Sequence, residues 1–158
     1  MTTRFLILVT LLSLVASCND DEELPLNFRN AIQYRGEIQN LRLGELYDIG
    51  PDSLSYNWNI DLYYAGTGLF ALDLDFNVPP GEPLLEGTYE FSDRRRPFTL
   101  VESTFVWPAT EERDEETLSL TGGTATVELD GDVTTIDFEL TAENDQTVRG
   151  NWRGVLLE

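Results

Sequence analysis

From residue 30 to the C-terminus, apolar and polar residues alternate along short segments of the chain. A period of two is typical of β-strands with one buried face, and no stretch has the convincing 3.6-residue period of an amphipathic helix. The alternation predicts about ten strands, over residues 31–34, 37–41, 42–49, 56–64, 69–78, 87–91, 98–107, 124–129, 132–141 and 147–157. Turn residues separate them, and Asp130-Gly131 is a strong signal for a two-residue hairpin.

Ten short strands joined by short turns predict an all-β protein in antiparallel meander order. We expect a β-sandwich of two packed sheets. An up-and-down, lipocalin-like barrel is the alternative, because meander order suits both architectures. The chain after the first 27 residues is long enough for one hydrophobic core and too short for two, so residues 28–158 are expected to form a single β-domain.

The last hairpin has a register that matches its apolar faces. This register pairs Leu140 with Val148, Phe138 with Gly150 and Ile136 with Trp152. On the outer face it sets Glu139 opposite Arg149, and opposite charges facing each other are mildly stabilising. We therefore interpret this hairpin as a structural element.

The hairpin over residues 56–78 has a less balanced outer face. Its register sets Asp61 opposite Asp73 and Asn59 opposite Asp75, and like charges across a strand pair are destabilising. The face therefore calls for a cation. A neighbouring arginine such as Arg42 is one candidate, and a calcium ion held by the four oxygen-bearing side chains is the other. Flat strand faces rarely wrap an ion, so we favour a solvated or arginine-covered face and predict no obligatory cofactor.

Exposed aromatic rings are a second candidate chemistry, because sugar-binding surfaces use them. Alternation places most rings of the strands on the inward face, where they belong to the core. Tyr63 falls on the polar face beside Asp61, and Trp107 ends a strand at Pro108. These two rings are the candidates for an exposed ligand platform, although ordinary partial burial is the interpretation that we favour.

Composition restricts the chemistry further. The chain has no histidine, and all ten of its cationic residues are arginine, against 29 acidic residues and a net charge of −19. Catalytic triads, Schiff-base lysines and histidine-bearing zinc sites are therefore excluded. A surface this acidic argues against nucleic acid as a partner. The one enzyme class left is a two-carboxylate glycoside hydrolase.

The first 17 residues are typical of a secretory signal peptide, with a positive start at Arg4 and a twelve-residue apolar stretch too short to span a bilayer. The run Leu-Val-Ala-Ser-Cys over residues 14–18 resembles a bacterial lipobox, and Cys18 is the only cysteine. The resemblance implies cleavage before Cys18, acylation of its thiol and amino terminus, and a stable membrane anchor. The alternative is an ordinary signal peptide with a stray cysteine near its cut.

Residues 18–27 form an acidic tether. The acids over residues 20–23 resemble the export tag of surface lipoproteins in Bacteroidota, and a plain solvated tether is the alternative. Segments such as Gly-Thr-Tyr-Glu-Phe over residues 87–91 and Gly-Asn-Trp-Arg-Gly over residues 150–154 also look like those of small Bacteroidota surface lipoproteins. The resemblance implies an outer-membrane location, lipid-anchored and exposed at the cell surface.

The sequence thus predicts a non-catalytic, membrane-anchored β-domain that binds an extracellular glycan or a partner protein in an outer-membrane uptake complex. A carboxylate-dependent glycoside hydrolase and a purely structural surface component are the alternatives. The hydrolase needs two carboxyl groups in a cleft, one of them with a raised pKa.

Overall fold

The computed structural model describes residues 29–158, which form nine β-strands. The predictions for residues 1–17, for the tether and for Cys18 lie outside this part of the chain. The strands are β1 (Ala31–Tyr34), β2 (Glu37–Pro51), β3 (Tyr56–Tyr64), β4 (Phe70–Val78), β5 (Gly87–Phe91), β6 (Thr99–Trp107), β7 (Glu116–Asp130), β8 (Val133–Ala142) and β9 (Thr147–Gly154).

The strands close into a barrel, which confirms the all-β prediction and corrects the sandwich. The short strand β1 joins the two ends of the sheet, because it pairs with β2 on one side and with β9 on the other. Ala31 lies opposite both Asn40 and Asn151. A sandwich would leave edge strands at this place, whereas closure hydrogen-bonds both flanks of β1. The up-and-down barrel, our alternative, describes the closure correctly.

The meander order is wrong at one point, around β5. This strand lies between β6 and β7, parallel to β6 and antiparallel to β7. Beyond the end of β5, β6 and β7 pair directly, with Trp107 opposite Glu116. The two long strands therefore diverge like a fork, and the five-residue β5 fills the gap. Near this fork the pairing of β4 with β6 has a register shift beside Glu102. The φ of Glu102 is 46°, which is unusual for a residue with a side chain.

Three sequence-derived strand bounds also change. Residues 37–49 form one strand, β2, which extends to Pro51. Strand β7 begins at Glu116, inside a segment that we expected to be loop, and β9 ends at Gly154. After β9, the backbone of Leu157 hydrogen-bonds with that of Gly44 and Leu46, so that the C-terminal segment continues the pairing along β2.

The interior of the barrel is filled with side chains. The largest fully buried residues include six aromatic ones: Tyr34, Phe76, Tyr89, Phe105, Trp107 and Trp152. Several of these rings meet edge to face, for example Phe76 and Tyr89, whose centroids are 4.8 Å apart. Some eight-stranded barrels hold a small ligand inside. Here the interior holds the hydrophobic core.

The predicted register of the C-terminal hairpin is confirmed, pair by pair, between β8 and β9. Phe138 lies opposite Gly150, where a Cβ atom would come within 2.4 Å of the Phe138 ring and within 2.4 Å of the Ala31 carbonyl oxygen. Only glycine fits at this point, because the ring of one strand crosses the backbone of the next.

Candidate functional site

A row of three carboxylates crosses the outer face of the barrel on strands β2, β3 and β4. Glu45 lies opposite Asp61, and Asp61 lies opposite Asp73. In the adjoining row Asn59 lies opposite Asp75. We call these five residues the acidic face. The inward residues between them are Ile60, Leu62, Leu72 and Leu74, all fully buried. Alternation on the two strands thus fixes the polar side chains on the outside.

The predicted register of the β3–β4 hairpin is confirmed for Asp61–Asp73 and Asn59–Asp75. The same register would place Tyr64 opposite Phe70, but a register shift near the turn brings Tyr63 there instead. We did not predict from the sequence that Glu45 on β2 extends this row of carboxylates. Alternation in β2 does place Glu45 on the polar face, but the loop and two bulges between β2 and β3 hide their register.

Two tyrosine hydroxyls fix the position and the charge of Glu45. Tyr47 and Tyr63 donate to the same carboxylate oxygen, at 2.5 Å and 2.9 Å. These bonds, from Tyr47 and then Tyr63, lower the pKa of the Glu45 carboxyl, so this group stays ionised. Burial, followed by the bonds with Glu45 and Tyr47, raises the pKa of Tyr63, which therefore stays protonated.

Asp61 and Asp73 behave in the opposite way. Both are half-buried. Burial raises the pKa of Asp61, and the charge of Glu45 raises it further. Burial also raises the pKa of Asp73 to about 6, with the charge of Asp61 adding to the effect and a hydrogen bond from Asn59 opposing it. The row therefore combines an ionised carboxylate on β2 with two carboxyl groups that retain protons more readily.

An arginine covers one end of the acidic face, as the charge pattern required, but it is Arg95 rather than Arg42. Its guanidinium lies 2.7 Å from Asp75 and 2.7 Å from Glu102. It also approaches Asp52 at 3.8 Å. Arg95 comes from the loop between β5 and β6, and only the folded barrel brings that loop onto β4.

The four residues that we considered as calcium ligands do not converge on one ion. Within residues 29–158, no group of three or more carboxylate, histidine or cysteine side chains has the arrangement of a metal site. Asn59, Asp61, Asp73 and Asp75 point outward side by side from a pleated surface, whereas calcium needs six to eight oxygens around it.

Tyr63 lies in a groove next to the acidic face. The groove has a volume of about 600 Å³ and is lined by Arg42, Leu43, Glu45, Tyr63, Tyr64, Gly66, Thr67 and Gly68. Its floor is formed by β2 and β3, and its rim by the turn between β3 and β4. It offers the exposed guanidinium of Arg42, the ionised carboxylate of Glu45 and the half-buried ring of Tyr63. The prediction for Tyr63 thus stays in place as a candidate ligand contact.

Trp107, the other candidate platform residue, is fully buried, which goes beyond the partial burial that we favoured and removes it as an exposed ligand contact. Its ring packs against those of Tyr34, Tyr64 and Phe105. The Arg113 guanidinium lies 5.8 Å from the ring centroid. Phe105 and Trp107 share one face of β6 by alternation, and this pattern could have indicated that Trp107 is buried. We gave more weight to Pro108, which follows the strand.

No family model, curated protein or solved structure matches this chain. Among residues 29–158, no helix is long and apolar enough to cross a membrane.

Proposed function

We propose that this protein is a lipid-anchored lipoprotein of the outer membrane, exposed at the cell surface, whose barrel binds an extracellular glycan without catalysis. The proposed anchor is Cys18, on the strength of the lipobox-like run that it ends. The proposed binding site is the groove beside Tyr63. A partner protein in an uptake complex would use the same outer surface.

The observation that carries the glycan proposal is the chemistry of the groove wall. A sugar presents hydroxyl groups, which both donate and accept hydrogen bonds, and apolar C–H faces, which stack on aromatic rings. The groove offers Glu45 as an acceptor, Arg42 as a donor and Tyr63 as a ring. Glu45 is held in place by two tyrosine hydroxyls, so a ligand meets a pre-organised carboxylate and loses little entropy in ordering it.

The packed interior supports an external site. Binding inside the barrel would have to displace rings such as Trp152, whose side chain is 1% exposed, at a cost of several kcal/mol. Binding in the groove displaces no core ring, because Arg42 is exposed and Tyr63 is half-buried.

A glycan array tests the proposal, followed by calorimetry on the ligands that bind. The protein used is the chain from position 18 onward with Cys18→Ser, which has no thiol to acylate. We expect Arg42→Ala and Glu45→Gln each to weaken glycan binding by roughly tenfold, since a hydrogen bond to a charged group contributes about 1.5–3 kcal/mol. Arg94→Ala is the matched control, an exposed arginine outside the groove.

Two results would count against the proposal. If no glycan on the array binds the protein, the glycan proposal is wrong. A pull-down with outer-membrane extract would then test whether the ligand is a partner protein. Glycan binding that is unchanged in both groove variants would move the site elsewhere on the barrel.

One observation favours a second candidate, the two-carboxylate glycoside hydrolase. Glu45 has a lowered pKa, and Asp73 has a pKa of about 6, as a base and an acid would need. They stand two strands apart, about 9.5 Å at the usual strand spacing, which suits an inverting mechanism. Asp61 stands between them, however, where the substrate would have to sit. Release of reducing sugar that is abolished by Asp73→Asn would favour the hydrolase, and binding without turnover would favour the non-catalytic proposal.

A further inference from the structure

The acidic face contains more hydrogen-bond acceptors than donors. One side-chain oxygen of Asn59, one of Asp61 and one of Asp75 are buried and have no hydrogen-bond partner in the described part of the chain. Leaving a buried acceptor unsatisfied costs about 1–3 kcal/mol, and more for a charged group. Three such atoms on neighbouring positions of one sheet face call for a donor.

The donors nearby are already used. The Tyr47 and Tyr63 hydroxyls are directed to Glu45, and Tyr63 reaches Asp61 only at 3.5 Å. Arg95 satisfies one oxygen of Asp75 and leaves the other without a partner. Because the three orphaned oxygens are buried, a ligand or a hydrated ion cannot contact them without moving side chains. A proton needs no such space.

We propose that Asp61 and Asp73 together bind one proton, shared across the β3–β4 ladder, and that this pair makes the outer face of the barrel responsive to pH. The inference rests on the register, in which Asp61 and Asp73 lie directly opposite each other on the outer face. A carboxyl that keeps its proton becomes a donor toward its neighbour, which removes the repulsion and satisfies an acceptor in one step.

The charges around the pair come from every strand and loop that packs against it. Glu45 and Tyr47 face it from β2, and Asn59 and Tyr63 from its own strand β3. On β4 the neighbour is Asp75, whose charge is balanced by Arg95. Strand β6 contributes the neutral Thr104 opposite Asp73, with Glu102 beyond it on Arg95. No cation among these groups contacts Asp61 or Asp73 directly.

The effect on stability has a definite sign. Burial first, and the neighbouring carboxylate second, raise the pKa values of Asp61 and Asp73 in the folded state. The folded protein therefore binds the proton more tightly than the unfolded chain does. This contribution to stability is fully present below the unfolded pKa near 3.8 and is lost as the pH rises through about 6.

Carboxyl-detected NMR titration of the chain from position 18 onward with Cys18→Ser tests the proposal. We expect Asp73 to titrate near pH 6 and Asp61 above its ordinary value, as two coupled steps. Asp61→Asn should lower the Asp73 midpoint but leave it above the ordinary value, because burial is the larger cause. Asp137→Asn is the matched control, since Asp137 is an outward strand residue opposite Asn151.

The proposal of a shared proton would be overturned if the titration midpoint of Asp73 were the same in Asp61→Asn as in the wild type. It would also be overturned if both carboxyl groups titrated near pH 4. Urea unfolding gives an independent readout. Asp73→Asn should reduce the stability difference between pH 4.5 and pH 7.5, and Asp137→Asn should not; equal pH dependence in both variants would also overturn the proposal. Neither experiment involves a glycan or a lipid, so the outcome is separate from that of the proposed function.

Discussion

The contact between Trp152 and two glycines gives the sharpest test of the barrel core. Trp152 is 1% exposed, and its ring lies against the backbone of Gly154 on its own strand and of Gly44 on β2. A Cβ atom on Gly154 would come within 2.7 Å of the ring, and one on Gly44 within 2.8 Å. The backbone of Gly154 has no left-handed φ, so an alanine there is opposed by the ring alone.

We expect Trp152→Ala to lower the free energy of unfolding by about 3–5 kcal/mol, the usual result of emptying a large aromatic site. In the wild-type background Gly154→Ala should cost about 1–3 kcal/mol, because it overpacks the ring. In the Trp152→Ala background the same substitution should cost nothing. It should even add roughly 0.5–1 kcal/mol of stability, since alanine is better than glycine inside a strand.

Urea denaturation followed by far-ultraviolet circular dichroism measures this double-mutant cycle, because the signal does not depend on the tryptophan that is removed. The coupling energy should be about 1.5–4 kcal/mol. If Trp152→Ala is too unstable for a complete curve, Trp152→Leu replaces it. A Gly154→Ala cost that is equal in both backgrounds would refute the packing argument, and a Trp152→Ala midpoint close to wild type would show that the ring is not in the core.

Three further predictions concern the anchor and the charges. Mass spectrometry of membrane-extracted protein should show acyl chains on Cys18, and Cys18→Ser should release the protein from the membrane. A mature wild-type protein found wholly in the medium would contradict the anchor. Arg95→Ala should destabilise the barrel by about 1–3 kcal/mol, because it leaves the largely buried Asp75 without its ion pair, whereas Glu102 is exposed and adds little. Arg94→Ala should change stability by less than about 0.5 kcal/mol. At matched ionic strength, sodium should raise the melting temperature as much as calcium does, because the carboxylates of the acidic face do not form a cluster that could hold a metal ion. A calcium-specific increase that Asp73→Asn abolishes would instead show a bound ion.

The sequence by itself determined the all-β class, the positions of most strands and most of the pairing inside the β3–β4 and β8–β9 hairpins. Alternation states which side chains share a face, and a short turn leaves few registers in which two apolar faces coincide. The pairs Phe138–Gly150 and Asp61–Asp73 followed from this argument and are confirmed. The outward carboxylates of β3 and β4 were therefore predictable as a group.

Only the tertiary structure decided what lies beyond each hairpin. Closure joins Ala31 to Asn151, and the five-residue β5 enters a fork between two longer strands. No local sequence pattern predicts either pairing, because alternation indicates that one face of a strand is buried but not which segment covers it. The same limit explains Trp107, which neighbouring rings enclose, and Arg95, which a loop carries onto Asp75. Local spacing fixed the faces of the strands, and contacts between segments distant in sequence fixed their neighbours.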